Sequence, residues 1–336
     1  MELRTDPITG RQVAFAPERA ERPFEFSSDE SSGDREGRCP LCVGNEDVTP
    51  EAVLQTDASG QPSSDWSVRS IPNHYPAFST EAASVEQASL AAQPSSWEAA
   101  SSRGRHEVLI ESPDHCCLMS ELSAEQFRRV VEMYRQRLLT LRDEGGLAHV
   151  LIFKNQGSAA GASLEHVHSQ LVGMPFVPRT MDEELEAASS FAARSSSKSS
   201  LWSEFVDHER HAATRIVHET ELFTVLCPYA SRFPCETWLV PRRPQPEFTK
   251  ADSDEMEEFA ELLRRTLTAI EKTLPRPAYN FALCTAPLQD DRATTYHWHL
   301  KITPRIAGIA GFEIGTGGWI NIVMPEHAAA SLRNSW

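Results

Sequence analysis

Two His-x-His runs, His166-Val-His168 and His297-Trp-His299, stand 131 residues apart and constrain what this chain can fold into. Each lies among alternating apolar residues, Leu164, Val167, Leu171 and Val172 around the first and Trp298, Leu300 and Ile302 around the second, which predicts a strand over 163–172 and another over 296–303. Other elements repeat at about the same offset. An amphipathic helix is predicted over 123–142, with Phe127, Val130, Val131, Tyr134, Leu138 and Leu141 on one stripe and Ser123 with Gln126 as a capping box. Its counterpart is predicted over 252–273, capped by Asp252 or Ser253. Strands are expected at 106–111 and 148–154, and again at 221–226, 236–240 and 278–284. The reading is an α+β fold made by tandem duplication of a strand–helix–strand–strand unit, with units at 1–185 and 201–336. The runs 27–37, 55–65, 79–105 and 189–200 are poor in large apolar residues and read as loops or insertions.

The two copies differ in chemistry. On a strand, residues two apart share a face, so His166, His168 and Gln170 are expected to project into one site. An imidazole that attacks phosphorus beside an amide that holds an oxygen is a phosphate-handling arrangement; the bland alternative is a pair of surface or metal-binding histidines. The second copy carries Lys301 where the first carries Gln170, so it reads as degenerate.

Composition narrows the partners. The 336 residues carry a net charge of −16, which argues against a broad nucleic-acid or anionic-membrane surface but leaves room for a small anionic substrate held by local arginines. Neither a signal peptide nor a membrane-spanning apolar run is evident, and a cytoplasmic location is the default expectation. The seven cysteines are too scattered for a secreted disulfide framework. Cys39-Pro-Leu-Cys42 is half of a tetrahedral zinc site that His115 and His166 can complete; a redox dithiol and two buried cysteines are the other readings. Cys116, Cys117, Cys227 and Cys235 read as packing residues.

The run Phe153-Lys-Asn155-Gln-Gly157-Ser-Ala-Ala-Gly161-Ala-Ser163-Leu-Glu-His166-Val-His168-Ser-Gln170 resembles the active-site signature of the galactose-1-phosphate uridylyltransferase family, within the histidine-triad superfamily. Ala16-Pro-Glu-Arg19-Ala-Glu-Arg22-Pro23, Cys39 and Cys42, Asn73, Ser112-Pro-Asp-His115 and Cys227-Pro-Tyr-Ala-Ser-Arg-Phe-Pro-Cys-Glu236 match in order along nearly the whole chain. The resemblance implies two histidine-triad-like units, His168 as a nucleophile forming a nucleotidyl-histidine, and Gln170 as donor to the nucleotide phosphate. It implies structural zinc on Cys39, Cys42, His115 and His166. Arg19, Arg22, Asn73, Asn155 and Ser163 fall where the family binds nucleotide sugar, and backbone N–H groups in 157–161 are further expected donors.

The implied reaction is ping-pong exchange of UMP between UDP-glucose and galactose 1-phosphate, in a homodimer whose sites take residues from the neighbouring C-terminal region. Two departures bear on this. A second family metal site would here fall on Glu184, His297 and His299 with Cys284 in place of a histidine, and packed histidines are the favoured reading there. The run 311–321 lacks the glutamine with which uridylyltransferases contact hexose, and looks closer to ADP-glucose phosphorylases, which transfer an adenylyl group to phosphate. A histidine-triad hydrolase is the next rival, disfavoured by Gln170 because hydrolases typically carry His there. A zinc-stabilised interaction protein is the non-enzymatic alternative.

Overall fold

The computed structural model describes residues 2–10, 12–15, 39–81, 102–195, 200–275 and 277–336. In chain order the elements are β1 (Glu2–Thr5), β2 (Gln12–Phe15), β3 (Leu54–Thr56), β4 (Val68–Pro72), β5 (Arg105–Ile110), α1 (Ala124–Glu144), β6 (His149–Gln156), β7 (His168–Met174), α2 (Arg179–Arg194) and α3 (Leu201–Ala212). They continue with β8 (Ile216–Glu219), β9 (Phe223–Leu226), β10 (Thr237–Pro241), α4 (Ser253–Thr273), β11 (Tyr279–Cys284), β12 (His299–Pro304), α5 (Gly311–Thr316), β13 (Trp319–Asn321) and α6 (Pro325–Ser335).

Ten strands form one sheet in the order β3-β4-β5-β7-β6-β11-β12-β10-β9-β8. The order is mirrored about the β6–β11 pair: β7 lies between β5 and β6 as β12 lies between β10 and β11. The predicted unit is therefore present twice, as β5–α1–β6–β7 and β10–α4–β11–β12. The sheet is continuous across the join, with Tyr279 opposite Gln156 and Leu283 opposite Ile152.

Both long helices cover the same face. The stripe Phe127, Val130, Val131, Tyr134, Leu138 and Leu141 is buried together with Phe259, Leu263, Leu267 and Ile270 of α4 and with Leu109, Val150, Ile152, Leu171, Phe281, Leu300 and Ile302 of the sheet. Sequestering such side chains from water is the main stabilising contribution, roughly 1.5–3 kcal/mol each.

The ends of the helices follow their capping residues. Asp252 accepts from the Glu255 amide and the Glu255 carboxylate from the Asp252 amide, completing a box at α4. At α1 only half the expected box forms. Ser123 accepts from the Gln126 amide at 3.1 Å, but the Gln126 side chain donates to the carbonyls of Ser67 and Glu111, because these buried acceptors on the sheet compete for it.

The Ser-rich run 189–200 is not all loop: α2 runs to Arg194, held by the burial of Met181, Leu185 and Ala188 on one helical stripe. Helices α2 and α3 cover the second face of the sheet in its later half only. There Trp202 and Phe205 of α3 pack with Trp238, Val240, Leu226 and Tyr296. Among the described residues, no helix is long and apolar enough to cross a membrane.

Candidate active site and metal group

The strand carrying the first His-x-His starts at His168 rather than at 163, so His166 precedes it. This separates the three residues expected on one face. His166 turns its Nδ1 to the thiols, 3.6 Å from Cys39 Sγ and 3.5 Å from Cys42 Sγ, while its Nε2 lies 2.9 Å from the Ser112 carbonyl. A carbonyl only accepts, so Nε2 carries the proton and the Nδ1 lone pair faces the cysteines. His115 Nδ1 stands 3.4 Å from Cys42 Sγ.

The four ligand atoms all lie within 4.8 Å of one another and form a group able to hold a metal ion. Zinc–ligand bonds of about 2.0–2.3 Å at tetrahedral angles set ligand atoms about 3.5 Å apart, which matches these spacings. Four protein ligands leave no open coordination position, as in a structural site. A second triple, His115, Cys117 and Glu165, shares His115 with the first.

His168 begins β7 and is buried at 7% exposure. Its Nδ1–H donates to the His166 carbonyl at 2.6 Å, which leaves the lone pair on Nε2. Burial, and then the nearby Lys154 ammonium, push its pKa below the ordinary histidine value, favouring the neutral ring. Gln170 shares the face of His168 by the strand period. Val108 of β5 and Phe153 of β6 lie directly opposite Gln170, which places His106, two residues before Val108, and Asn155, two after Phe153, on that face as well.

Asn73 follows β4, and its amide nitrogen reaches His106 Nε2 at 3.2 Å. Asn155 Oδ1 accepts from Asn280 of β11 at 2.8 Å. His168, Gln170, Asn155 and Asn73 are thus brought together around one sheet face. Ser163 is exposed in the segment after the Gly157–Gly161 turn. Arg19 and Arg22 lie outside the described residues.

Backbone donors in that turn are fewer than expected. The N–H groups of Ala160 and Gly161 bond the carbonyls of Gly157 and Ser158 within the turn itself. Gly157 has φ +79°, and a Cβ there would meet the Ala278 Cβ at 3.0 Å, so the turn requires glycine at this position.

Beneath the strand, the opposite face holds Glu111 and Lys154, both fully buried. Lys154 Nζ donates to Glu111 at 2.6 Å and to the His168 carbonyl at 2.7 Å. The hydroxyls of Tyr134 and Ser169 also donate to Glu111. Such a buried pair is tolerated because both Glu111 oxygens find donors. Sequence reading did not single out His106, Glu111 or Lys154. The period of two would have placed His106 on the site face; nothing in sequence pairs Glu111 with Lys154 across 43 residues.

The second His-x-His repeats the backbone geometry. His299 Nδ1–H donates to the His297 carbonyl at 2.9 Å, and His297 Nε2–H to the Pro241 carbonyl at 2.7 Å. Here, however, His299 is fully buried with its Nε2 unpartnered, under Trp202 at 4.3 Å between ring centroids. His297 Nδ1 faces no partner either.

Glu184 is engaged elsewhere, accepting from Lys301 Nζ and from the Tyr296 hydroxyl at 2.8 Å. The Lys301 ammonium already neutralises the carboxylate that a cation would need. Among the described residues, Glu184, His297 and His299 do not form a group with ligand atoms all within 4.8 Å of one another.

Comparison with known proteins agrees with this architecture. The family profile described as galactose-1-phosphate uridyl transferase, N-terminal domain, matches residues 1–178, and a domain of unknown function, DUF4921, matches residues 114–334. The chain is 32% identical to an ADP-glucose phosphorylase of Arabidopsis thaliana over 99% of its own length and 92% of the relative's. It is 27% identical to a galactose-1-phosphate uridylyltransferase of Thermotoga maritima over 100% of this chain and 98% of that one.

Among solved structures, that of the Arabidopsis thaliana ADP-glucose phosphorylase with bound ADP-glucose superposes with a TM-score of 0.82 at 30% identity, covering 99% of this chain and 97% of the other. A uridylyltransferase structure superposes at 0.76 with 25% identity, covering 100% and 98%. With its matched N-terminal half, its mirrored ten-stranded sheet and full-length relatives of the same kind, the chain belongs to the galactose-1-phosphate uridylyltransferase family of nucleotidyltransferases.

Proposed function

We propose that the chain transfers a nucleotidyl group from a nucleotide sugar through a covalent intermediate on His168, with the unit 1–185 doing the chemistry and the unit 201–336 serving as its degenerate partner. The observation that carries this is the His168 ring: its Nδ1–H is fixed on the His166 carbonyl, and neutral Nε2 is left as the nucleophile. Nε2 attacks the α-phosphorus, the bond to the sugar 1-phosphate breaks, and the sugar 1-phosphate departs with the electron pair. An acceptor oxyanion then attacks the phosphoramidate, and Nε2 is released with its lone pair restored. Developing charge on the phosphoryl oxygens needs fixed donors, a role assigned to Gln170, Asn73, Asn155 and Ser163, with Arg19 and Arg22 expected to add positive charge. Zinc on Cys39, Cys42, His115 and His166 would be structural: it would clamp the segment that presents the His166 carbonyl to His168.

For the finer reaction, ADP-glucose as donor and phosphate as acceptor is the reading that the Arabidopsis thaliana relative favours. The absence of a glutamine in 311–321 supports it as well. Exchange of UMP between UDP-glucose and galactose 1-phosphate is the second reading, favoured by the family profile and the Thermotoga maritima relative. Intact mass spectrometry separates them. An adenylyl adduct discharged by phosphate supports the first; a uridylyl adduct discharged by galactose 1-phosphate supports the second.

We also propose a homodimer, since Ile306, Ile309, Phe312 and Ile314 are 45–79% exposed along one C-terminal stretch. Sedimentation equilibrium giving a monomer at micromolar concentration would contradict it.

A further inference from the structure

We infer that His106 is a positioning residue that fixes which way the Gln170 amide points. The inference rests on the proposed role of Gln170 as a phosphate donor.

An amide can sit either way round, so a glutamine offers NH2 to a phosphate only if something holds its oxygen. The Ala77 backbone N–H donates to His106 Nδ1 at 3.0 Å. A backbone N–H cannot accept, so Nδ1 must be the unprotonated nitrogen and Nε2 must carry the hydrogen. Nε2 lies 2.9 Å from Gln170 Oε1, and the N–H donates to it. The carbonyl end of Gln170 is thereby held, and both amide hydrogens remain for another acceptor.

The same logic reinterprets Asn73. Its Oδ1 accepts from the Tyr75 backbone N–H at 2.8 Å, so its amide nitrogen is the atom 3.2 Å from His106 Nε2. Two donors cannot bond each other, so the Asn73 hydrogens are also left for an acceptor outside this cluster. One imidazole, its tautomer set by a loop amide, thus leaves the NH2 groups of two side chains that meet the same His106 Nε2 without an acceptor among the described residues. An acceptor-rich anion such as a phosphoryl group matches that need.

The test is the single-turnover rate of adduct formation with ADP-glucose and, separately, UDP-glucose, followed by intact mass. The variants are Q170A, H106N, H106Q and the double variant H106N/Q170A. Asparagine at 106 puts an acceptor near the Nδ1 position and lacks the Nε2 donor. Glutamine puts a donor near the Nε2 position and lacks the acceptor for Ala77.

H106N is expected to slow adduct formation about tenfold, the usual scale for an orienting partner, with H106Q restoring most of the rate. In the Q170A background, H106N is expected to add no further loss, since the two residues act through one contact. An equal fold-loss in both backgrounds, or H106N faster than H106Q, overturns the inference: His106 would then merely anchor the 73–81 loop. If H106N does not fold, H106Q carries the test alone, and a tenfold loss there is the contradicting result. If Q170A itself forms adduct at the unaltered rate, the role of Gln170 fails, and this inference fails with it. If Q170A slows the reaction while H106N and H106Q do not, only the inference fails.

Discussion

His168 and His299 occupy equivalent places in two equivalent units. Each opens the strand between its two neighbours, and each donates Nδ1–H to the carbonyl two residues back, at 2.6 and 2.9 Å. In both halves the backbone therefore fixes Nδ1–H and leaves the lone pair on Nε2. What differs lies on the outer face of the sheet. In the later half, α2 and α3 cover that face, and the Trp202 ring seals His299 Nε2 without a partner. In the earlier half no helix among the described ones covers it, and Gln170, His106, Asn73 and Asn155 line it instead. The preceding histidines differ as well: His166 Nδ1 faces Cys39 and Cys42, whereas His297 Nδ1 is buried with no hydrogen-bond partner among the described residues. One strand–helix–strand–strand arrangement can thus recur whole while its chemistry is decided by what is laid over it.

The sharpest way to break this comparison is to make one substitution in both places. His168→Asn is expected to abolish the nucleotidyl adduct and lower turnover by at least about 10⁴-fold, the scale for losing a nucleophile. His299→Asn should leave turnover close to that of the unaltered chain, and steady-state kinetics on both decides it.

The metal groups offer the next contrast. One zinc per chain is expected by elemental analysis. Cys42→Ser should remove it with a large fall in Tm, while His297→Gln should leave the metal content at one equivalent. Two equivalents in the unaltered protein would show that the later half binds metal after all.

Trp202→Ala then opens the sealed half. Loss of a buried tryptophan should cost about 3–5 kcal/mol of stability by chemical denaturation. It should also make His299 reactive to diethyl pyrocarbonate where it was protected before.

The smallest effect is acid-linked. Burial opposes ionisation of Glu184, but the Lys301 ammonium outweighs it and holds the carboxyl at about 2, below its ordinary 4.5. Because the folded pKa is the lower one, the stabilisation is present above pH 4.5 and is lost as pH falls toward 2. The Tm gap between the unaltered protein and Lys301→Met should therefore shrink over that window, and a gap constant with pH would contradict the pair's role.

Much of this was legible from residue patterns, and the exceptions have physical causes. The stripes of α1 and α4 and the doubled strand–helix–strand–strand order are set by hydrophobic period, which sequence displays directly. Element edges moved where local chemistry intervened. The strand at His168 starts late because His166 is drawn toward Cys39 and Cys42, and Gln126 leaves its capping box for buried carbonyls on the sheet. The Ser-rich run hid the end of α2, since serine tolerates a helix when Ala188 and Leu185 are buried beside it.

Long-range pairing was not legible. The Glu111–Lys154 pair under His168 and the Trp202 ring over His299 depend on how the sheet brings distant segments together. The expectation for 157–161 narrows for a local reason: the Ala160 and Gly161 amides are used to close their own turn.

On the proposed function, His168, and not its structural twin His299, carries the nucleotidyl group. Intact mass followed by peptide mapping after brief incubation with ADP-glucose, and separately UDP-glucose, tests it most directly. A single nucleotidyl adduct is expected on the peptide containing His168, discharged by phosphate or by a sugar 1-phosphate and absent from His168→Asn. No adduct with either donor during measurable turnover, or an adduct on His299, would contradict it.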